Sequence, residues 1–209
     1  MVIGFAGVSL EEVDGVGLLK KIESAGRTCY RSEEAITESS CYDFVKKIIS
    51  LGHLSVIEHA SVTARIVCDR GVSHELVRHR IGTAFSMEST RYVSYGGRGI
   101  SLIPMMDDLT EAQANRRLDL YTMAESVYLA EISEGIKPEQ ARDNLPTCTR
   151  TEIAVTCNLR EWRHIFELRC APKAHPQIRR VAKMLLSEMS NVVPVVFDDL
   201  REKFLGDRE

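Results

Sequence analysis

E-L-V-R-H-R-I-G-T-A-F-S-M-E-S-T-R-Y-V-S-Y, from Glu75 to Tyr95, is the stretch around which the rest of the chain is organised. Arg78, His79 and Arg80 stand together, a short run of small and apolar residues follows, and Glu88, Ser89, Thr90, Arg91 and Tyr92 close it. An arginine cannot shed its proton to escape an apolar site, so guanidiniums this close together call for anionic partners. A guanidinium offers a planar fork of donors that fits phosphate or carboxylate in two-pronged fashion, and the hydroxyls of Ser89 and Thr90 can donate beside it. For Arg-His-Arg alone, a solvated basic helix end followed by a strand is the plainer reading.

Outside that stretch, 209 residues with 44% hydrophobic content are enough to bury a substantial core, and one domain over 1–209 is expected. The formal charge of −3 disfavours general nucleic-acid binding, which needs a strongly basic face, so the arginines must act locally. Six cysteines lie scattered with no Cys-x-x-Cys pair, and no signal peptide or membrane span is readable near Met1. A reducing cytoplasm with free thiols is expected. His53, His59, His74 and His79 lack the i,i+4 spacing that sets two metal ligands on one helix face, and no metal is expected.

The periodicity outlines the elements. Leu18, Leu19, Ile22 and Ala25 mark a helix ending near Gly26, and Phe44, Val45, Ile48 and Ile49 a second one. Val62, Ala64, Ile66 and Cys68 alternate with other residues as in a half-buried strand. Ser73 is the expected N-cap of a short helix through Arg78, Tyr92 to Tyr95 reads as strand, and Thr151 to Thr156 as another. Asp107 and Asp108 are the expected N-caps of the longest helix, near 109–133, whose stripe of Ala114, Leu118, Tyr121, Ala124, Tyr128 and Ile132 is core or interface. Trp162, Ile165, Phe166 and Leu168 form the apolar face of a helix on which arginines and glutamates are expected to pair, for instance Glu161 with Arg163 or with neighbours one turn away, and the charged stretch 203–209 is expected to fray.

Three segments besides the central one carry chemistry: H-L-S-V-I-E-H from His53 to His59, A-R-D-N-L-P from Ala141 to Pro146, and N-L-R-E-W-R-H-I-F-E-L-R from Asn158 to Arg169. In this order they resemble the signature segments of the flavin-dependent thymidylate synthases, where Arg-His-Arg is followed by a serine and then Arg-Tyr. Here eight residues, Ile81 to Glu88, separate Arg80 from Ser89 where the family has seven, and Met87 stands where it carries Glu or Gln. A bulge within Ile81 to Phe85, helped by Gly82, is expected to absorb the extra residue.

The resemblance implies an α+β fold, a twisted and mostly antiparallel sheet flanked by helices. It implies reductive methylation of dUMP to dTMP with methylene-tetrahydrofolate and NADPH as co-substrates through bound FAD. Flavin would be held by residues matching Ser55, Arg78, His79, Arg80, Asn158, Arg160 and His164. The nucleotide would meet Glu75, Arg78, Glu88, Ser89, Thr90, Arg91, Arg142 and Arg169. Arg169 would stabilise charge developing on the pyrimidine, with Ser89 beside it as hydrogen-bond donor rather than nucleophile. Self-association as a homotetramer with sites at subunit interfaces is implied too. A flavin- or nucleotide-binding module with impaired catalysis is the alternative, and a nucleic-acid-binding protein a distant third.

Overall fold

The computed structural model describes residues 1–206. In chain order its elements are β1 (Val2–Ile3), β2 (Gly7–Leu10), α1 (Gly15–Thr28), α2 (Ser40–Ser50), β3 (Ser61–Asp69), α3 (Arg70–Leu76), β4 (Thr83–Met87), β5 (Ser101–Leu102), α4 (Glu111–Ser133), α5 (Pro138–Ala141), β6 (Arg150–Asn158), α6 (Leu159–Arg169), α7 (Pro176–Val192) and α8 (Pro194–Leu205). The larger sheet has the order β2-β3-β6-β4. It is mostly antiparallel, flanked by helices and not closed into a barrel, which is the α+β class expected. Among the described residues no helix is long and apolar enough to cross a membrane.

The chain divides into two compact units. One comprises Met1–Gly7, Val67–Leu76 and Ser86–Ile153. In it β1 and β5 pair in parallel, Val2 opposite Ser101 and Ile3 opposite Leu102, and Leu102 bridges Thr149 in antiparallel sense. Ile100, Leu102, Tyr121, Tyr128 and Ala141 form its core, with Tyr95, Leu129 and Ile132 packed against them. The α4 stripe read from the sequence therefore does face a core, but the helix starts later than expected. Thr110 caps it in a capping box: its Oγ1 accepts from the Gln113 N–H at 3.3 Å, and the Gln113 side chain accepts from the Thr110 N–H at 2.9 Å. Asp108, an expected cap, instead sits at φ +61°, in the turn ahead. Likewise α3 begins at Arg70, because Asp69 Oδ1 accepts from the Val72 N–H at 2.9 Å, and Ser73 lies inside the helix. Tyr92 lies in a turn and Val93 to Tyr95 in irregular backbone rather than strand, since the Tyr92 and Val93 N–H groups both close back on the Ser89 carbonyl.

The other unit comprises Val8–Ile66, Val77–Phe85 and Ala154 onward. Val62, Ala64 and Ile66 are buried, and so are Val155 and Cys157 opposite, as the alternation required. The Thr63 and Thr156 hydroxyls share a hydrogen bond of 2.8 Å. Trp162 is fully buried and donates from Nε1 to the Val62 carbonyl at 3.0 Å, stacking on Phe166, which meets Phe197 edge to face. Leu168, assigned to that apolar face, is instead exposed at 43%. Arg163 pairs with Asp199 through two bonds of 2.6 and 2.7 Å rather than with Glu161, which leaves Glu161 for another partner. On α1, Glu23 is wholly buried and receives Arg27 and Ser40. Gly15 is required where it stands, because a Cβ there would lie 2.1 Å from the Val192 carbonyl oxygen. The segment expected to fray from Lys203 is helical through Leu205, and residues 207–209 lie outside the described residues.

Candidate active site

The residues expected to meet the nucleotide fall largely in the unit containing α4. There a cavity of about 230 Å³ is lined by Arg70, His74, Thr90, Arg142, Asp143 and Thr147. Thr90 is buried, and Arg142 stands exposed at the end of the short α5. Arg70, at the start of α3, presents Nη1 as a buried nitrogen with no protein partner. A buried guanidinium nitrogen without an acceptor is costly, so an anion in this cavity would satisfy it. Glu88 accepts a hydrogen bond of 2.6 Å from the Tyr95 hydroxyl. Burial and then that bond push the Tyr95 phenol well above its ordinary value, so it stays a donor. Ser89 Oγ accepts from the Arg91 N–H at 3.3 Å, and no imidazole or carboxylate bonds to that hydroxyl among the described residues. Arg91 lies over the Tyr92 ring at 5.3 Å, and Glu75 has its own contacts within the fold.

The residues expected to meet flavin fall in the other unit, together with Arg169. Arg78 and Arg80 are exposed and, among the described residues, have no hydrogen-bond or ion-pair partner, which leaves both forks for an anionic ligand. His79 between them is turned inward and buried, at 5% exposure. The Arg169 Nε–H donates to His79 Nε2 at 3.0 Å, Glu161 Oε1 lies 3.4 Å from His79 Nδ1, and the His164 ring meets that of His79 edge on at 5.9 Å. Burial, then the Arg169 charge and His164, lower the His79 pKa to about 4, so the imidazole is neutral at ordinary pH. Burial raises that of Glu161, against the pull of His164. Asn158 is the N-cap of α6, its Oδ1 accepting from the Glu161 N–H at 2.9 Å. Arg160 reaches Glu58 at 2.5 Å. The extra residue after Arg80 appears as a turn, with Gly82 at φ +62° directly before β4, and not as a bulge within a strand.

His79, Glu161 and His164 also offer ligand atoms within 4.8 Å of one another, the kind of cluster that could hold a metal ion. Spacing rules miss it because Glu161 and His164 stand one turn apart on α6 and His79 comes from a distant segment. Ser55 lines a separate cavity of about 880 Å³ with Tyr30, Phe44, Lys47 and His53. Aromatic walls beside a lysine and a hydroxyl fit a planar ring carrying phosphate. Arg27 also borders that cavity but is held by Glu23 and lies over the Phe44 ring at 4.9 Å.

Burial also acts on the thiols. Burial first, and the Asp69 charge next, push Cys68 up to about 12, and burial takes Cys170 to about 12 as well. Thiolates are the nucleophilic form, and these are held protonated.

A basic cavity with an orphaned guanidinium, set in an α+β fold, is suited to a small anionic ligand. Comparison with known proteins narrows the class. The family model described as "Thymidylate synthase complementing protein" matches residues 16–195. A flavin-dependent thymidylate synthase from Geobacter sulfurreducens is 38% identical over 183 residues, 84% of this chain and 78% of its own length. One from Mycobacterium avium is 35% identical over 89% of this chain and 81% of its own. A crystal structure of the UMP/dUMP methylase PolB from Streptomyces cacaoi, bound with 5-Br dUMP, superposes with a TM-score of 0.78 at 23% identity over 98% of both chains. The chain belongs to the flavin-dependent thymidylate synthase family.

Proposed function

We propose that this chain catalyses the reductive methylation of dUMP to dTMP, with methylene-tetrahydrofolate as carbon donor and NADPH as reductant through FAD, and that the whole chain works as one catalytic domain. Family membership carries the reading; the cavity around Arg142, Thr90 and the orphaned Arg70 supports it, because a nucleotide phosphate would supply the acceptor Arg70 lacks. Thr90, Arg91 and Arg142 bind the same phosphate, and Glu75 and Arg78 complete the nucleotide contacts. Glu88, held by Tyr95, orients the nucleotide, and Ser89 donates a hydrogen bond beside the pyrimidine. Arg78, Arg80, Asn158, Arg160 and His164 hold the flavin around the buried His79, with Ser55 placing a further part of it in the aromatic cavity. When bound, the flavin supplies carriage of the one-carbon unit and hydride.

Uracil C5 is a poor nucleophile, and charge must be stabilised on the ring as it attacks. Arg169 does this as a fixed cation, the logic of an oxyanion hole, and no thiolate is required while Cys68 and Cys170 stay protonated. Self-association as a homotetramer with shared sites draws support from Leu120 and Met123, each 64% exposed on α4, and from Tyr92 at 78%. Cytoplasmic residence agrees with six free cysteines. The purified protein is tested for bound flavin by its absorption spectrum, then for NADPH oxidation that depends on dUMP and for dTMP formed. Flavin binding without dUMP-dependent turnover would leave a binding module instead.

A further inference from the structure

The His79 imidazole can hold its single proton on either nitrogen, and its surroundings choose. Arg169 Nε carries one hydrogen, permanently, and aims it at His79 Nε2 from 3.0 Å. Nε2 must therefore offer a lone pair, which puts the proton on Nδ1. The atom facing Nδ1 is Glu161 Oε1, at 3.4 Å. We propose that Glu161 is a positioning residue: by holding the His79 proton on Nδ1 it makes Nε2 the anchor for Arg169, and so fixes where that guanidinium points.

The local structure serves this role. Asn158 fixes the first turn of α6 by accepting from the Glu161 N–H, so the carboxylate leaves a defined point, and its side chain is only 13% exposed. Arg169 leaves the last turn of the same helix, and His79 bridges the two ends from another segment. Remove the acceptor at Nδ1 and the opposite tautomer becomes accessible; its Nε2–H would face the Arg169 N–H, two donors against each other, and the guanidinium would turn away. Metal binding by His79, Glu161 and His164 is the competing use of the same atoms. It is disfavoured by the same hydrogen bond. Ligation through Nε2 displaces Arg169, and ligation through Nδ1 moves the proton to Nε2 against the Arg169 donor, with a dication beside a guanidinium in either case.

The consequence for turnover rests on the reading of Arg169 as the group facing the pyrimidine, so the test separates the two. The 15N shifts of histidine-labelled protein report the His79 tautomer in the wild type, Glu161→Gln and Glu161→Leu, each first confirmed folded by its circular dichroism. Glutamine keeps an acceptor oxygen and leucine does not. Expected is Nδ1–H in the wild type and in Glu161→Gln, and a mixed or inverted tautomer in Glu161→Leu. In parallel, kcat of Glu161→Leu falls about tenfold, as for loss of an orienting partner, while KM for dUMP changes less than about twofold and Glu161→Gln recovers most of the rate. Nε2–H in the wild type, an unchanged His79 in Glu161→Leu, or stoichiometric Zn²⁺ binding lost on that substitution would each overturn the proposal. A tautomer that inverts while kcat stays constant upholds the lock and refutes the assignment of Arg169.

Discussion

Acidification is expected to destabilise this protein through His79 before most carboxylates protonate. The folded-state pKa of His79 is lowered from 6.5 to about 4, chiefly by burial and then by Arg169 and His164. An unfolded chain therefore binds more protons at this residue than the folded one between those two values. Stability from the neutral imidazole is complete above pH 6.5 and is lost as pH falls toward 4. Integrating the proton uptake from pH 8 to pH 5 removes about 2 kcal/mol from this one group, a substantial share of the stability of an ordinary domain. Urea unfolding at fixed protein concentration, at pH 8, 6 and 5, measures the loss. His79→Gln supplies the reference, since its amide can accept from Arg169 and does not titrate. The difference in unfolding free energy between the two proteins should narrow by about 2 kcal/mol over that range. If both lose stability in parallel, or if the His79 ring titrates near 6.5 in the folded protein, the burial and charge account of this residue is wrong.

Replacing Arg169 by alanine should lower kcat about a hundredfold while flavin occupancy, read by absorbance, stays near wild type; loss of flavin with nucleotide binding preserved would reassign the residue to the cofactor. Glu23→Ala should cost about 3 kcal/mol in urea unfolding, because Arg27 and Ser40 then lose a fully buried acceptor; a loss below about 1 kcal/mol would show that solvent reaches the site freely. Gly82→Ala forces a side chain into φ +62°, with its Cβ 3.2 Å from Asn158 Nδ2. It should cost about 1 kcal/mol of stability and weaken flavin binding, and unchanged flavin affinity would detach this turn from the cofactor.

Much of the architecture was written in local pattern. The buried alternation from Val62 to Cys68 and the α4 stripe through Tyr121 and Tyr128 follow from periods of two and about three and a half, which any chain must obey to bury one face. The four motif segments gave the family, because residue types at set spacings record a chemistry. Cap positions were less legible. Asp107, Asp108 and Ser73 have the right side chains, but Thr110 and Asp69 own the positions from which an oxygen meets a free N–H, and that depends on where the preceding backbone turns. Strand β4 was hidden because five residues of mixed polarity carry no period.

Pairings between distant segments were decided by tertiary structure alone. Glu161 read as a partner for Arg163, yet Arg163 is taken by Asp199 on α8, and only that leaves Glu161 to face His79 from far along the chain. In the same way nothing local marks Arg70, and only the fold buries its Nη1 beside Thr90 and Arg142. Side-chain chemistry is local to a residue, whereas the choice of which donor meets which acceptor is made by the packing that brings them within 3 or 4 Å.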